Sequence, residues 1–422
     1  MRFINADGDL LIDWPRSIEE GWQGWRDSNR FHQPALEASL RGAAEQYSDL
    51  DFYLGSRVDS ISSDEDGVTF VATSQSRPAQ TFRALYVVGC DGANSTVRAA
   101  IGSELRSLGK PEQWLVVDLI MNEDGPDLPE GTVQYCNPIR PITYIEAVGA
   151  RRRWEVMLLP GDDAASFAEP DSVWSLLSPW VTSDDAEIER SVVYTFRSVV
   201  AQQWRRERLL LAGDATHQTP PFLGQGLCAG LRDTANLAWK LNWVIKGLAD
   251  ESLLDTYQSE MEPHVTAYIL EANRIGAIIQ ERDAEKAHQR DETLRRSPQV
   301  LKSVRPLLGP GLAGDASEPA ASLSAQPRLA DGRRLDEAAP YGFILLCERG
   351  FTTAASPTLK DVWERTGLTV IEGEAAAWLE SLGSKAAIIR PDRYILGVAS
   401  DLTELEAITA RIPLTLRDSL CN

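Results

Sequence analysis

The stretch from Arg208 to Gly230 limits this chain more than any other. An apolar run of β character, Leu209 to Ala212, stops at Gly213-Asp214. Pro220-Pro221 and Gly224-x-Gly226 then lead into a helix-like segment, Leu227 to Leu241. A strand that ends in Gly-Asp places a carboxylate at its carboxyl end, where open α/β sheets bind ligands. The glycines let backbone approach a ligand closely, and the helix start behind them offers free N–H groups at the positive end of the helix dipole. Such a corner suits polyhydroxyl groups and electron-rich ring edges, because a carboxylate accepts from hydroxyls while N–H groups donate to ring oxygens. A plain strand–turn–helix corner with a capping Asp needs far less of this run in this order.

A second run lies upstream. Leu85 to Val88 ends in Gly89-x-Asp91-Gly92, and Ser95 is placed to cap a following helix. Alone, Asp-Gly before a capped helix is an ordinary turn. Together with the later Gly-Asp segment it becomes half of a two-part pattern.

Length and charge narrow the class. A chain of 422 residues exceeds the usual limit of one hydrophobic core, so two or three domains are expected. The net charge of −20 argues against nucleic acid or an anionic membrane as partner, while a local Arg can still bind an anionic substrate. No apolar run reaches membrane-spanning length, and the polar N-terminus does not read as a signal peptide. Cys90, Cys136, Cys228, Cys347 and Cys421 form no Cys-x-x-Cys and no metal-ligand spacing with the four histidines. They read as reduced thiols, which predicts a cytoplasmic protein.

Along the chain, Pro34 starts a helix-like pattern with Leu36, Leu40 and Ala43 at helical spacing, and Ser56 to Thr73 reads as a β-hairpin turning at 63–67. Leu115 to Met121, Thr132 to Tyr135, Thr143 to Val148 and Arg153 to Leu159 read as strands of a separate sheet. Ser252 to Asp283 returns to helical spacing. Beyond His288 a Pro/Gly/Ser/Ala-rich stretch to Pro327 reads as linker. The tail reads as a small α/β unit, with strands Gly342 to Cys347 and Ala386 to Ile389 around a helix near Ala375 to Leu382.

The paired motifs resemble the Asp-Gly and Gly-Asp motifs of the single-component FAD aromatic hydroxylases, the p-hydroxybenzoate hydroxylase superfamily. A finer resemblance to 3-(3-hydroxyphenyl)propionate hydroxylases is carried by Gly24-Trp25, Phe31 and Gln33-Pro34, by Gln113-Trp114 and Val116-Val117-Asp118, and by Asn137-Pro138-Ile139-Arg140-Pro141. Met157 to Gly161 and Arg232-Asp233-x-x-Asn236 to Leu241 continue it. The likeness runs from Met1 to about Leu270 and resumes weakly near Gln326, where Arg390 to Ala399 resembles the hairpin of a thioredoxin-like C-terminal domain.

The resemblance implies a mixed α/β fold. An FAD-binding doubly wound domain would take residues 1–106 and 196–285, with an inserted antiparallel substrate sheet at 107–195. A linker at 286–327 would lead to a thioredoxin-like domain at 328–422. Without Cys-x-x-Cys that last domain cannot run dithiol chemistry, and it is expected to be structural, a surface for a possible homodimer. The implied activity is that of a flavin monooxygenase: NADH or NADPH reduces FAD, and one atom of O₂ goes to an electron-rich phenol to give a catechol. 3-(3-Hydroxyphenyl)propionate and 3-hydroxycinnamate are the implied substrates. The flavin carries the redox chemistry, so no nucleophile, triad or metal cluster is needed.

Site residues follow from the same resemblance. Asp214, beside Gly213, would accept from ribityl hydroxyls, and Gly226 and Leu227, after Gln225, would present N–H groups to the pyrimidine edge. Pro221 would wall the ring and Gly224 permit its approach. Gln33 matches a glutamine near the ribityl–phosphate region, and Asp91 with Gly92 would lie near the pyrophosphate. Arg140 and Tyr144 on the substrate sheet could hold a carboxylate or phenol, although Arg140 fits an ordinary salt bridge equally well. His217 reads as a packed or capping residue, Arg151 to Arg153 as a surface hairpin cap, and Trp22, Trp25, Trp239 and Trp243 as core or interface. No catalytic base is assignable.

One departure is large. The family opens with a strand, Gly-x-Gly-x-x-Gly, a helix and a second strand, a unit of roughly 30 residues that holds the AMP half of FAD. The sequence contains no such unit, and Met1 to Leu10 already resembles a hairpin well inside the fold. Two readings stay open, a start upstream of Met1 or a shortened protein that persists without FAD. Another flavin reaction on the same fold is a third. Loss of a central strand predicts that the chain folds poorly or aggregates.

Overall fold

Val87–Gly89 and Leu209–Leu211 run parallel side by side, with Val88 opposite Leu210 and Gly89 opposite Leu211. Leu209, Leu210 and Leu211 are all buried, as befits a strand covered on both faces. Arg205–Arg206 pairs antiparallel on the far side of Leu209–Leu211, so Val87–Gly89 forms the edge of a three-stranded sheet. The helices Thr96–Ile101, Gly226–Ile245 and Asp255–Ile279 supply the covering layers. Val97, Ile101, Leu237, Tyr257, Met261 and Ile269 share one core with the strand leucines and Trp204. This is a computed structural model, and it describes residues 1–298, 301–315, 317–339 and 341–415. Cys421 lies outside the described residues.

The separate sheet has seven strands. Their order is Ala186–Phe196, Glu112–Met121, Arg151–Met157, Ile142–Glu146, Thr132–Tyr135, Arg2–Ile4 and Leu10–Asp13. The N-terminal hairpin, assigned from sequence to the first domain, adds to this sheet through a parallel pairing of Phe3 with Gln134. Its apolar residues Phe3, Leu11 and Ile12 pack against Ile275 and Ile279 of the long helix, so burial decides its place. On the opposite face, Val173 and Leu177 of the helix Pro170–Leu177 cover Leu115, Val117, Trp154 and Val156. A third, exposed sheet joins Ser56–Asp64, Gly67–Ser74 and Arg77–Ala84. It extends the expected hairpin by one strand.

The expected linker is only partly irregular. Residues Ala284–Arg296 form a helix capped by Asp283, whose carboxylate accepts from the N–H groups of Glu285 and Lys286. Its buried positions Ala287, Asp291 and Leu294 have helical spacing, but most of the segment is charged, which hides the period. The C-terminal unit orders its strands Thr369–Glu372, Ile344–Cys347, Ala386–Ile389 and Ile395–Ala399, the first two parallel and the rest antiparallel. Trp239 and Trp243 meet Phe343 there, with ring centroids 5.5 and 5.3 Å away. Beneath them lies a fully buried ion network. Glu260 accepts from Lys240 Nζ at 2.6 Å and from Arg390 Nη2 at 2.7 Å, while Asp392 binds Arg390 at 2.7 Å and Asn236 at 3.0 Å.

Helix Gln33–Ala44 buries none of its residues. Leu40 on it, Tyr47, Leu50 and Leu54 after it, and Leu85 before the edge strand all stand exposed. Among the described residues no helix is long and apolar enough to cross a membrane.

Candidate functional site

The two motifs, separated by more than a hundred residues, meet at the ends of neighbouring strands. The Ala212 N–H donates to the Gly89 carbonyl at 3.0 Å, which carries the parallel ladder into the Gly-Asp turn. Arg98 then crosses from the first motif to the second, donating to the Ala215 carbonyl at 2.9 Å and to that of Ala93. Behind the turn, Tyr257 donates to the Leu211 carbonyl at 3.0 Å.

Gly213 opens a 3₁₀ turn, Gly213–Ala215, with φ of +62°, a conformation that disfavours any side chain. A Cβ there would stand 3.9 Å from the Gly230 Cα, so the turn and the Gly226–Ile245 helix are packed backbone to backbone. Gly213 N–H and His217 Nε2 both meet Asp233 Oδ2 of that helix, at 2.8 and 2.7 Å. Burial raises the Asp214 carboxyl above its ordinary range, with Asp233 adding to the rise and His217 opposing it. Pro221–Leu223 makes a second 3₁₀ turn, closed by Gly224 in the left-handed region with its N–H on the Pro221 carbonyl. Gln225 precedes the helix without capping it, its side-chain oxygen accepting instead from Arg232 at 2.9 Å.

The start of that helix is therefore open. Its first N–H groups have no carbonyl one turn back, and nothing lies within 4 Å of a Cβ placed on Gly226. An uncapped N-terminus, a carboxylate on the adjoining turn and a glycine cradle fit the isoalloxazine and ribityl portion of a flavin. Gly226 and Leu227 can donate to an electron-rich ring edge, and Asp214 can accept from hydroxyls. Among the described residues no cluster of His, Cys, Asp and Glu suits a metal ion.

The other expected residues already have partners within the chain. Asp91 Oδ2 accepts the N–H groups of Thr96 and Val97, at 2.7 and 3.2 Å, so its carboxylate serves the start of Thr96–Ile101 alongside Ser95. Gly92 takes φ of +79° in the same turn. Gln33 is exposed at the first position of its helix and donates to Glu37. Arg140 is held in an ion pair with Asp162 at 2.7 Å and lies over the Phe167 ring. Tyr144 is fully buried against Trp154 on the side of the sheet covered by Pro170–Leu177. Alternate residues of a strand face opposite ways, so Tyr144 lies on the face away from Thr143, while Arg140 stands in the loop before that strand. Arg151 and Arg153 pair with Glu189 and Asp118.

Asp233 is the residue that sequence reasoning passed over. Its buried helix face also carries Asn236 and Lys240, so an acid there does not stand out, and it lies 16 residues beyond His217. Arg232 beside it borders a cavity of about 390 Å³ shared with Trp22, His264, Tyr268, Arg305 and Tyr394.

Comparison with known proteins gives the family. Residues 13–272 match the family model described as FAD binding domain. A probable NADH-specific resorcinol 4-hydroxylase of Rhodococcus jostii is 35% identical over 437 residues, covering 97% of this chain and 81% of that protein. A 3-(3-hydroxy-phenyl)propionate/3-hydroxycinnamic acid hydroxylase of Burkholderia vietnamiensis is 31% identical, covering 97% and 83%. Among solved structures, aklavinone-11 hydroxylase with FAD and aklavinone superposes with a TM-score of 0.77 at 21% identity, over 98% of this chain and 85% of that one. With the family model spanning more than half its length, the chain belongs to the FAD-dependent aromatic hydroxylases.

Proposed function

We propose that this chain hydroxylates a small phenol, of the resorcinol or 3-(3-hydroxyphenyl)propionate kind, to a catechol-type product with NADH and O₂. One observation carries the reading: Asp214 and the open helix start at Gly226 are locked at a fixed spacing through Asp233. The two named relatives support the phenol class, and the first supports NADH over NADPH. FAD, when bound, supplies the electron transfer and oxygen activation. The chain supplies position and dryness. Asp214 orients the ribityl chain, while the Gly226 and Leu227 N–H groups, at the positive end of a 20-residue helix, stabilise negative charge at the pyrimidine edge. Pro221 fixes one face, and Phe222 packed on Trp114 at 5.7 Å excludes water on the side of the sheet. The C-terminal unit, with its β-α-β-α-β-β-α order, is consistent with a thioredoxin-like domain. Cys347, its described cysteine, is buried and pushed up to about 12, which suits a structural role.

A second reading, a chain that does not retain FAD, is favoured by the exposed edge of Val87–Gly89 and the uncovered Gln33–Ala44 helix. Visible absorption of the purified chain separates the two. About one flavin per chain, with resorcinol-dependent NADH oxidation and a hydroxylated product, supports the hydroxylase. No flavin after incubation with excess FAD supports the second reading.

A further inference from the structure

The side of the seven-stranded sheet that meets Phe222 carries a row of buried polar groups. Gln134, Thr143 and Glu155 stand directly opposite one another on Thr132–Tyr135, Ile142–Glu146 and Arg151–Met157. Directly paired residues share a face of a sheet. The row continues into Phe3 on one side and Val116 on the other. Trp114, two residues from Val116, therefore lies on this face as well, and it is Trp114 that packs on Phe222. Phe222 belongs to the turn that begins at Pro221. Glu155 thus points to the side where the sheet closes over the candidate flavin site, opposite to Tyr144.

The three polar side chains are not alike. Gln134 and Thr143 satisfy each other through a 2.5 Å hydrogen bond from the Thr143 hydroxyl. Glu155 is only 5% exposed, and no group among the described residues donates a hydrogen bond to it. Burial raises its carboxyl to about 7. Asp118 adds to the rise, while Arg153 and Arg190 lower it. Both arginines are already committed to Asp118, each at 2.6 Å. The strands on the other side contribute Thr143 and Gln134, which do not titrate. A buried carboxyl with no donor lowers stability, and a glutamine or leucine would serve the packing as well. A ligand hydroxyl placed against it would supply the missing donor.

We propose that Glu155 is the proton acceptor for the phenolic hydroxyl of the bound substrate, an assignment that rests on the hydroxylase reading above. The hydroxyl donates to a Glu155 carboxylate oxygen. As the ring takes up its oxygen atom, the phenolic O–H bond breaks and its electron pair stays on the phenol oxygen, raising electron density at the ortho and para carbons. The proton forms a new O–H bond on Glu155, so the transfer itself is redox-neutral. The carboxylic acid returns its proton to water when product leaves. A general base whose affinity for protons lies near working pH serves this role best.

The test uses the full chain loaded with FAD. Flavin content of the wild type comes first, since its absence sinks the hydroxylase reading and this assignment with it, whereas loaded protein lets the two be judged apart. Binding of resorcinol and of its dimethyl ether is then followed anaerobically, without NADH, by the perturbation of the flavin spectrum between about pH 5 and 9. Resorcinol affinity is expected to rise about tenfold or more as Glu155 ionises, and the ether, which has no proton to give, to show no such rise. Glu155→Gln is expected to keep its flavin, flatten the resorcinol profile and lower kcat by roughly 100- to 10,000-fold, with KM little changed and partial recovery in Glu155→Asp. A pH-independent resorcinol affinity in the wild type overturns the proposal, as does a Glu155→Gln enzyme with wild-type kcat and pH profile. If Glu155→Gln does not fold, the phenol and ether comparison on wild type decides.

Discussion

His217 and Asp233 are joined by a 2.7 Å contact between Nε2 and Oδ2 with both side chains fully buried, and the same carboxylate oxygen accepts the Gly213 N–H. One oxygen therefore sets the position of the Gly-Asp turn relative to the helix that begins at Gly226. Asp233→Ala strands a backbone donor and a histidine in the interior, each costing about 1–3 kcal/mol. The expected result is a lower midpoint in urea and FAD affinity weakened at least about tenfold, since 1.4 kcal/mol is a factor of ten in binding. Equal FAD affinity in Asp233→Ala and wild type, by fluorescence titration, would show that Asp214 and Gly226 are positioned by other means.

The network around Glu260 makes a stronger claim on stability than on catalysis. Lys240 and Arg390 both point at Glu260 in the interior, and each loses its hydration to do so. Burial lowers the Lys240 ammonium to about 8, while the two cations hold the Glu260 carboxyl well below its ordinary range. Arg390→Met leaves a buried anion short of one partner, and breaking such a pair costs about 3–5 kcal/mol. Because Arg390 comes from the C-terminal unit and Glu260 from the long helix, the loss is expected to uncouple the two. Calorimetry of Arg390→Met would then show two transitions where the wild type has one.

Glu155 also predicts a pH dependence that needs no substrate. Its folded-state value of about 7 lies above the ordinary 4.5. The stability tied to its protonated form is therefore fully present below pH 4.5 and lost as pH rises through about 7. At pH 8 the folded chain carries a penalty of roughly 3 kcal/mol relative to acid conditions. Glu155→Gln removes the titration, so its stability should exceed that of wild type at pH 8 and match it near pH 5. A difference that does not change across this range would mean that the carboxyl is hydrated in solution.

How much of this could be read in the sequence depended on how local the constraint was. Gly213 and Gly224 are legible because each stands where the backbone turns left-handed, at φ of +62° and +63°, a region that glycine enters at no steric cost. Asp214 is legible because it ends a short buried strand. The face on which Tyr144 lies is not legible, because strand alternation says that two faces exist but not which one meets the Phe222 turn. Glu155, on the face that meets the turn, follows Trp154 in what reads as a surface arginine cluster. Asp91 shows the opposite difficulty, since its Asp-Gly signal is equally that of a helix cap, and its carboxylate does cap Thr96 and Val97. Contacts such as Arg390 with Glu260, 130 residues apart, leave no local trace.

The free edge of Val87–Gly89 leads to the last prediction. Such an edge presents unpaired N–H and C=O groups that can template another strand. Beside it in sequence, Leu85 is 55% exposed, and the uncovered stretch from Leu40 to Leu54 includes Tyr47 at 67% and Leu54 at 62%. Exposed apolar residues in such number mark either an interaction surface or an aggregation liability. The chain alone is therefore expected to self-associate with rising concentration, which light scattering at several dilutions would reveal. Leu54→Lys combined with Leu85→Lys should reduce that association while changing unfolding free energy by no more than about 0.5 kcal/mol, because neither side chain is packed. A wild-type chain that stays monodisperse and monomeric at high concentration would show that this surface is harmless as it stands. A double variant that associates as strongly as wild type would instead place the contact elsewhere on the molecule.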